Sequence, residues 1–175
     1  MRRTLVLGGA RSGKSAHAEG LLTDAAATYV ATGRHDPDDA EWTARIATHR
    51  ARRPATWRTV ELADPADLGP FLEKATGTVL VDDVATWLTA LLDDAEAWDG
   101  GDLGPVRRAC DDLATALGGS EADIVLVSAE VGLGVVPATR SGRLFRDQLG
   151  ALNAALADRC TDVVLLVAGI PMRLR

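Results

Sequence analysis

The chain has 175 residues, 47% of them hydrophobic, enough for one domain with a real core. Its net charge of −6 argues against nucleic acid as the main partner, because phosphate-backbone binding needs an excess of Lys and Arg. No apolar run is long enough to span a bilayer, and no signal-peptide layout or lipidation motif is present, so no membrane span and a cytoplasmic location are expected. Cys110 and Cys160 are isolated and fit no metal spacing; they are expected as reduced, buried thiols.

The first unit is a strand over 3–8, a glycine loop, and a helix to about residue 26. The loop reads Gly8-Gly9-Ala10-Arg11-Ser12-Gly13-Lys14-Ser15, which is G-x-x-x-x-G-K-[ST] between a strand and a helix. Gly8 and Gly13 permit backbone angles that other residues resist. The loop then turns its N–H groups inward to hold phosphate oxygens, and the helix N-terminus adds partial positive charge. In such loops the lysine, here Lys14, reaches the β- and γ-phosphates and the hydroxyl of the next residue, here Ser15, binds Mg²⁺. The opposing reading is a glycine-rich turn with a chance Lys-Ser. Only two of the 19 basic residues, Lys14 and Lys74, are lysines. A slender point charge at position 14 of so Arg-rich a chain weakens the chance reading.

A second strand over 28–32 ends in Gly33-Arg34-His35-Asp36-Pro37, and strand ends of this kind line the ligand crevice of open α/β sheets. His35 is expected as a solvated surface histidine. Asp38 or Asp39 caps a helix running to about Arg53 and stopped by Pro54. Arg45, His49 and Arg52 share one face of it, bordered by Trp42 and Ile46. Two readings of His49 stand. It is a surface histidine in an Arg-rich solvated face, or it faces a nucleotide whose phosphates the arginines offset. Cationic neighbours favour a neutral imidazole, but the residues alone favour the surface reading.

A short strand over 58–62 and a helix over 65–75 precede Thr78-Val79-Leu80-Val81-Asp82-Asp83. This is a central parallel strand with a carboxylate at its tip. After a phosphate loop, Asp82 is the candidate for the Mg²⁺ water shell, and Asp83 caps a helix over 84–92; the alternative makes both of them caps. Residues 93–104, acidic and with Trp98, read as an exposed loop. A helix over 105–117 closes at Gly118-Gly119, a buried strand covers 123–128, and a loop follows from Glu130 to Pro137. An amphipathic helix over 140–158 carries Arg143, Arg146, Asp147 and Asn153, and a core strand over 162–168 precedes an edge strand over 170–174. The alternation implies an α/β fold, a parallel sheet with helices on both faces. With no repeat or linker, 1–175 reads as one domain.

Regulatory GTPases usually carry an Asn-Lys-x-Asp guanine reader. The single asparagine here, Asn153, has no Lys beside it, and no second Gly-rich segment points to a protein kinase. A small-molecule kinase or a nucleotidyltransferase remains. Residues 8–15 followed by His17-Ala18-Glu19 carry a wider pattern, as do Arg45-Ile46-x-x-His49-Arg50-x-x-Arg53-Pro54-x-x-Trp57 and Glu130-Val131-Gly132-x-Gly134-x-Val136-Pro137. So do Arg143-x-Phe145-Arg146-Asp147-x-x-Gly150-x-x-Asn153 and Val167-x-Gly169-Ile170-Pro171. Together they resemble the bifunctional adenosylcobinamide kinase / adenosylcobinamide-phosphate guanylyltransferase family over nearly the whole chain.

The resemblance implies a RecA-like P-loop NTPase fold, a homotrimer and two reactions of cobalamin biosynthesis. A triphosphate, GTP or ATP, phosphorylates adenosylcobinamide; GTP then guanylylates adenosylcobinamide phosphate through a GMP-histidine, which falls on His49. It also implies nucleotide contacts at Gly8, Gly9, Ala10, Arg11, Ser12, Gly13, Lys14 and Ser15, at Ala31, Thr32 and Gly33, at Arg50, Ala51, Arg52 and Arg53, and at Glu61 and Asp82. Lys14 and His49 are its catalytic residues, with Ser15 and Asp82 on Mg²⁺. Two departures bear on substrate affinity more than on reaction type: Ala129 stands where the family often has Asn, and Asp82-Asp83 where it often has Asp-Cys or Glu-Cys. A kinase-only relative and a nucleotide-binding regulatory module are the alternatives; the acidic surface and the missing guanine reader disfavour the second.

Overall fold

Seven short runs pair into one sheet in the computed structural model, which describes residues 1–22, 26–34 and 53–175. They are β1 (Arg3–Gly8), β2 (Thr28–Ala31), β3 (Arg58–Glu61), β4 (Thr78–Asp82), β5 (Asp123–Ala129), β6 (Asp162–Val167) and β7 (Ile170–Arg173). Their order is β3-β2-β4-β5-β1-β6-β7, parallel throughout except for the antiparallel β6–β7 pair. The helices among the described residues are α1 (Lys14–Gly20), α2 (Leu68–Glu73), α3 (Val84–Asp94), α4 (Gly104–Gly119) and α5 (Arg140–Arg159).

The period-2 alternation of a strand divides each apolar run between two faces. On one face Leu5, Leu7, Val30, Val79, Val81, Ile124 and Leu126 meet the apolar sides of α2 to α5, including Leu72, Leu88, Leu117 and Leu149. On the other, Val6, Tyr29, Leu80, Val125, Val127 and Leu166 pack with Ala18 of α1, and with Leu21, Leu22 and Trp57. Both faces are covered, which is why the central strands are continuously apolar. Trp87 of α3 is fully buried, and its indole N–H donates to Pro65 O at 2.6 Å, so its one polar atom is satisfied.

Several boundaries differ from expectation. α1 stops at Gly20 rather than near 26, because the N–H groups of Leu21 and Leu22 turn back to Ala18 O and Glu19 O at 3.1 and 3.3 Å, the three-residue bonds that tighten a last helical turn. The stretch over 93–104 is not simply an exposed loop. α3 runs on to Asp94, and a 3₁₀ turn (Ala97–Asp99) buries Ala97. Trp98 packs on Phe145 of α5 with ring centroids 6.4 Å apart, and its N–H donates to Asp93 at 2.6 Å. α4 includes Gly118 and Gly119 and is capped by Ser120, whose hydroxyl donates to Leu72 O. The expected helix over 38–53, with Trp42, Arg45, Ile46, His49, Arg50, Ala51 and Arg52, lies outside the described residues apart from Arg53, and so does His35 of the loop before it.

Parallel strands deliver their C-terminal ends to one edge of a sheet. The loop after β1, the tip of β2, Asp82 at the end of β4 and Glu130 after β5 therefore share that edge.

Candidate nucleotide site

Gly8 closes β1 between Ala129 of β5 and Leu166 of β6. A Cβ there would lie 2.3 Å from Ser12 Oγ and 3.2 Å from Leu166 O, so only glycine lets the loop fold back on its strand. The fold-back is made by Arg11 at φ 57° and Gly13 at φ 87°, with Ser12 N–H donating to Gly9 O at 3.3 Å. No side chain caps α1, which leaves its first N–H groups to an anion. Lys14 is 8% exposed, and its ammonium reaches back to Gly9 O at 3.5 Å. That long bond occupies one of three donors, and the others are available to a phosphate.

Asp82 is where the elements converge. Ser15 Oγ donates to its Oδ1 at 3.1 Å, and the Tyr29 hydroxyl donates to its Oδ2 at 2.9 Å. Burial first, and the Asp82 carboxylate second, hold the Tyr29 phenol well above the ordinary tyrosine range, so it is a donor at any working pH. The Arg53 guanidinium lies over the Tyr29 ring, 3.2 Å from its centroid. Asp83 takes the other role foreseen for this pair: its Oδ1 accepts from Thr86 N at 2.7 Å and caps α3, so the two carboxylates are not both caps.

Ala31 pairs with Glu61 on one side and with Asp82 on the other. Ala31, Thr32, Gly33 and Glu61 line one cleft of about 360 Å³, floored by Leu62 and Trp87. Thr32 Oγ1 donates to Asp83 O at 2.7 Å, which ties this cleft to the tip of β4. On the far side, the Glu130 N–H donates to Gly8 O at 3.1 Å and its Oε1 accepts from Gly132 N at 2.7 Å. Asn153 of α5 holds this tip: its Nδ2 donates to Ala129 O at 3.0 Å, and its Oδ1 accepts from the buried Ser128 hydroxyl at 2.6 Å.

The structure thus joins Ser15 of the loop to Asp82 and seats Arg53 on Tyr29, which bonds the same carboxylate, while Ala31–Gly33 and Glu61 line one cleft. His49, Arg50, Ala51 and Arg52 lie outside the described residues. Tyr29 was missed by sequence reasoning. A buried aromatic in a strand reads as core, and nothing local marks its hydroxyl.

Among the described residues no group of three or more His, Cys, Asp or Glu could hold a metal ion. A cage built wholly of protein is not what Mg²⁺ needs; it takes one or two protein oxygens plus substrate phosphates and water. The Ser15 hydroxyl and the Asp82 carboxylate, hard oxygens 3.1 Å apart, fit that requirement. No helix among the described residues is long and apolar enough to cross a membrane.

A glycine phosphate loop after a central strand of a mostly parallel sheet, with a tip aspartate on the loop's serine, defines a P-loop nucleotide-binding α/β protein. The fold matches an ATPase from the type III secretion system of pathogenic bacteria at TM-score 0.57 and 12% identity over 95% of this chain, which spans 51% of that one. The family model described as cobinamide kinase / cobinamide phosphate guanyltransferase matches residues 4–174, and the chain belongs to this family. It is 45% identical to the bifunctional adenosylcobalamin biosynthesis protein CobP of Pseudomonas aeruginosa, over 99% of this chain and 97% of that protein. It is 40% identical to CobU of Salmonella typhimurium and 39% identical to CobU of Escherichia coli, proteins of the same description, over 98% of each chain.

Proposed function

We propose that the chain phosphorylates adenosylcobinamide with GTP or ATP and then transfers GMP from GTP to the product, giving adenosylcobinamide-GDP and pyrophosphate. Family membership supports the pair of reactions, and the Ser15–Asp82 pair at the phosphate loop is the observation that carries the reading. In the kinase half, the aminopropanol hydroxyl oxygen attacks the γ-phosphorus, its proton passes to solvent, and the bond to the β–γ bridging oxygen breaks. Positioning and charge neutralisation do most of this work. The loop amides and Lys14 hold the phosphates and follow the charge that develops on them. Ser15 and Asp82 would hold Mg²⁺, which would supply positive charge against the phosphates.

In the guanylyl half, the nucleophile is His49. A ring nitrogen bonds to the α-phosphorus as the bond to pyrophosphate breaks. An oxygen of the corrinoid phosphate then attacks the same phosphorus and the histidine leaves. One difficult transfer becomes two displacements, with pyrophosphate gone before the acceptor attacks. Arg50, Arg52 and Arg53 offset the charge on the α-phosphate, and Ala51 joins them in the nucleotide contacts. The seat of Arg53 on Tyr29, whose hydroxyl bonds Asp82, supports the part given to Arg53. The cleft at Ala31, Thr32, Gly33 and Glu61 supports their assignment to the nucleotide.

We take 1–175 as a single catalytic domain that works in the cytoplasm as a homotrimer. Leu133, Val135, Val136, Ile170 and Met172 are large hydrophobics left exposed in the single chain, which supports their cover by another copy. Incubation with GTP and adenosylcobinamide, following GDP and pyrophosphate separately, tests the reading. Release of both products is expected. GDP alone would reduce the protein to a kinase, and neither product would overturn the reading.

A further inference from the structure

Tyr29 is only 3% exposed and sits in the middle of β2, paired with Leu80 of β4. Asp82 lies two residues beyond Leu80 and therefore faces the same side of the sheet, the side covered by α1. A diagonal cross-strand neighbour is within reach of an aromatic side chain. The Tyr29 hydroxyl takes Asp82 Oδ2 at 2.9 Å while Ser15 takes Oδ1 at 3.1 Å. Two elements thus fix the two oxygens of one carboxylate, and the carboxylate cannot turn about its own axis without breaking a bond.

The ring of the same tyrosine carries the Arg53 guanidinium, 3.2 Å from its centroid. Arg53 Nε is buried without a hydrogen-bond partner among the described residues, and Nη1 reaches Thr59 Oγ1 only at 3.4 Å. Cation–π attraction to the ring is therefore a principal restraint on this arginine. Phenylalanine would fill the same space in the core. It would supply the seat for Arg53 but not the grip on Asp82.

We propose that Tyr29 is a positioning residue that couples Arg53 to the magnesium carboxylate: its hydroxyl sets the orientation of Asp82 and its ring seats Arg53. This deepens the function proposed above and rests on its assignment of Mg²⁺ to Ser15 and Asp82. The two arms are separable, because Tyr29→Phe removes one and Tyr29→Leu removes both.

The test is binding of a fluorescent GTP analogue, titrated with and without Mg²⁺, alongside thermal unfolding of each variant. Tyr29→Phe is expected to unfold close to wild type and to bind the analogue equally well in EDTA. Its Mg²⁺-dependent gain in affinity is expected to shrink about 10- to 100-fold, the usual effect of losing a group that orients a metal ligand. Tyr29→Leu is expected to lose that gain as well, and at saturating Mg²⁺ to form GMP-histidine more slowly than Tyr29→Phe. A Tyr29→Phe protein that titrates with Mg²⁺ like wild type would overturn the grip on Asp82, and equal GMP-histidine rates in Phe and Leu variants would overturn the seat for Arg53. A wild type whose affinity ignores Mg²⁺ would overturn the magnesium assignment itself and this coupling with it, a result distinct from the other two.

Discussion

Ser15 Oγ and Asp82 Oδ1 stand 3.1 Å apart across 67 positions of sequence. β1 and β4 are separated by β5 alone and run parallel, so both strands end at the same edge of the sheet. The phosphate loop then carries Ser15 back towards the carboxylate at the tip of β4.

Removing the charges gathered there lowers phosphoryl transfer without unfolding the chain. Lys14→Ala, which removes a cation that meets the developing charge, and Asp82→Asn, which weakens the hold on the metal, are each expected to lower kinase kcat by about 100-fold or more. The measurement is corrinoid phosphorylation at saturating triphosphate. A kcat within threefold of wild type for Lys14→Ala would exclude the lysine from the transfer.

Gly8→Ala tests the shape of the loop. The new methyl collides with Ser12 Oγ and crowds Ser12 Cβ at 3.1 Å and the Leu166 carbonyl at 3.2 Å, so Ser12 must turn and the loop shift off its strand. Triphosphate affinity is expected to drop at least tenfold by calorimetry, while far-UV circular dichroism keeps the wild-type spectrum.

The phosphate loop, Asp82 and Asp83 were legible because each is a short pattern whose physics is local. Glycine angles, a point charge, and a β-branched run ending in acid need no knowledge of the rest of the fold. The alternation of strands and helices was legible for the same reason. Tyr29 was not, since its role depends on which strand pairs beside β2, and no local period encodes that. The packing of Trp98 on Phe145 was hidden in an acidic, glycine-rich stretch for the same reason. His49 became a candidate nucleophile by resemblance, its own neighbours pointing to a solvated face.

Asn153 joins the buried Ser128 hydroxyl to the Ala129 carbonyl, next to the Glu130 N–H that meets Gly8 O. Asn153→Leu leaves both groups without this partner and is expected to cost about 1–3 kcal/mol in urea unfolding. Adding Ser128→Ala should recover part of that loss, because a buried hydroxyl without a partner is worse than none. A double variant that loses the full sum of the two single effects would show that the groups act independently.

Both thiols are held protonated. Burial pushes Cys160 up to about 12 against the pull of Arg3 and Arg175, and burial pushes Cys110 up to about 12 with help from Asp111. Folded values above the ordinary thiol value of 9.0 stabilise the native state fully below that pH, and the contribution is lost as pH rises from 9.0 towards 12. Thiol-specific labelling at pH 8 is expected to be slow in the native chain and fast in denaturant, and the urea midpoint to fall above about pH 9. Rapid native labelling of Cys160 at pH 8 would contradict its burial.

Incubation with GTP labelled at the α-phosphate, followed by quenching and mapping of the modified residue, bears most directly on the proposal that this kinase also transfers GMP through a histidine. The expected result is an acid-labile, base-stable label on His49, absent from His49→Ala and chased off by adenosylcobinamide phosphate. A His49→Ala protein labelled as fully as wild type would contradict the account.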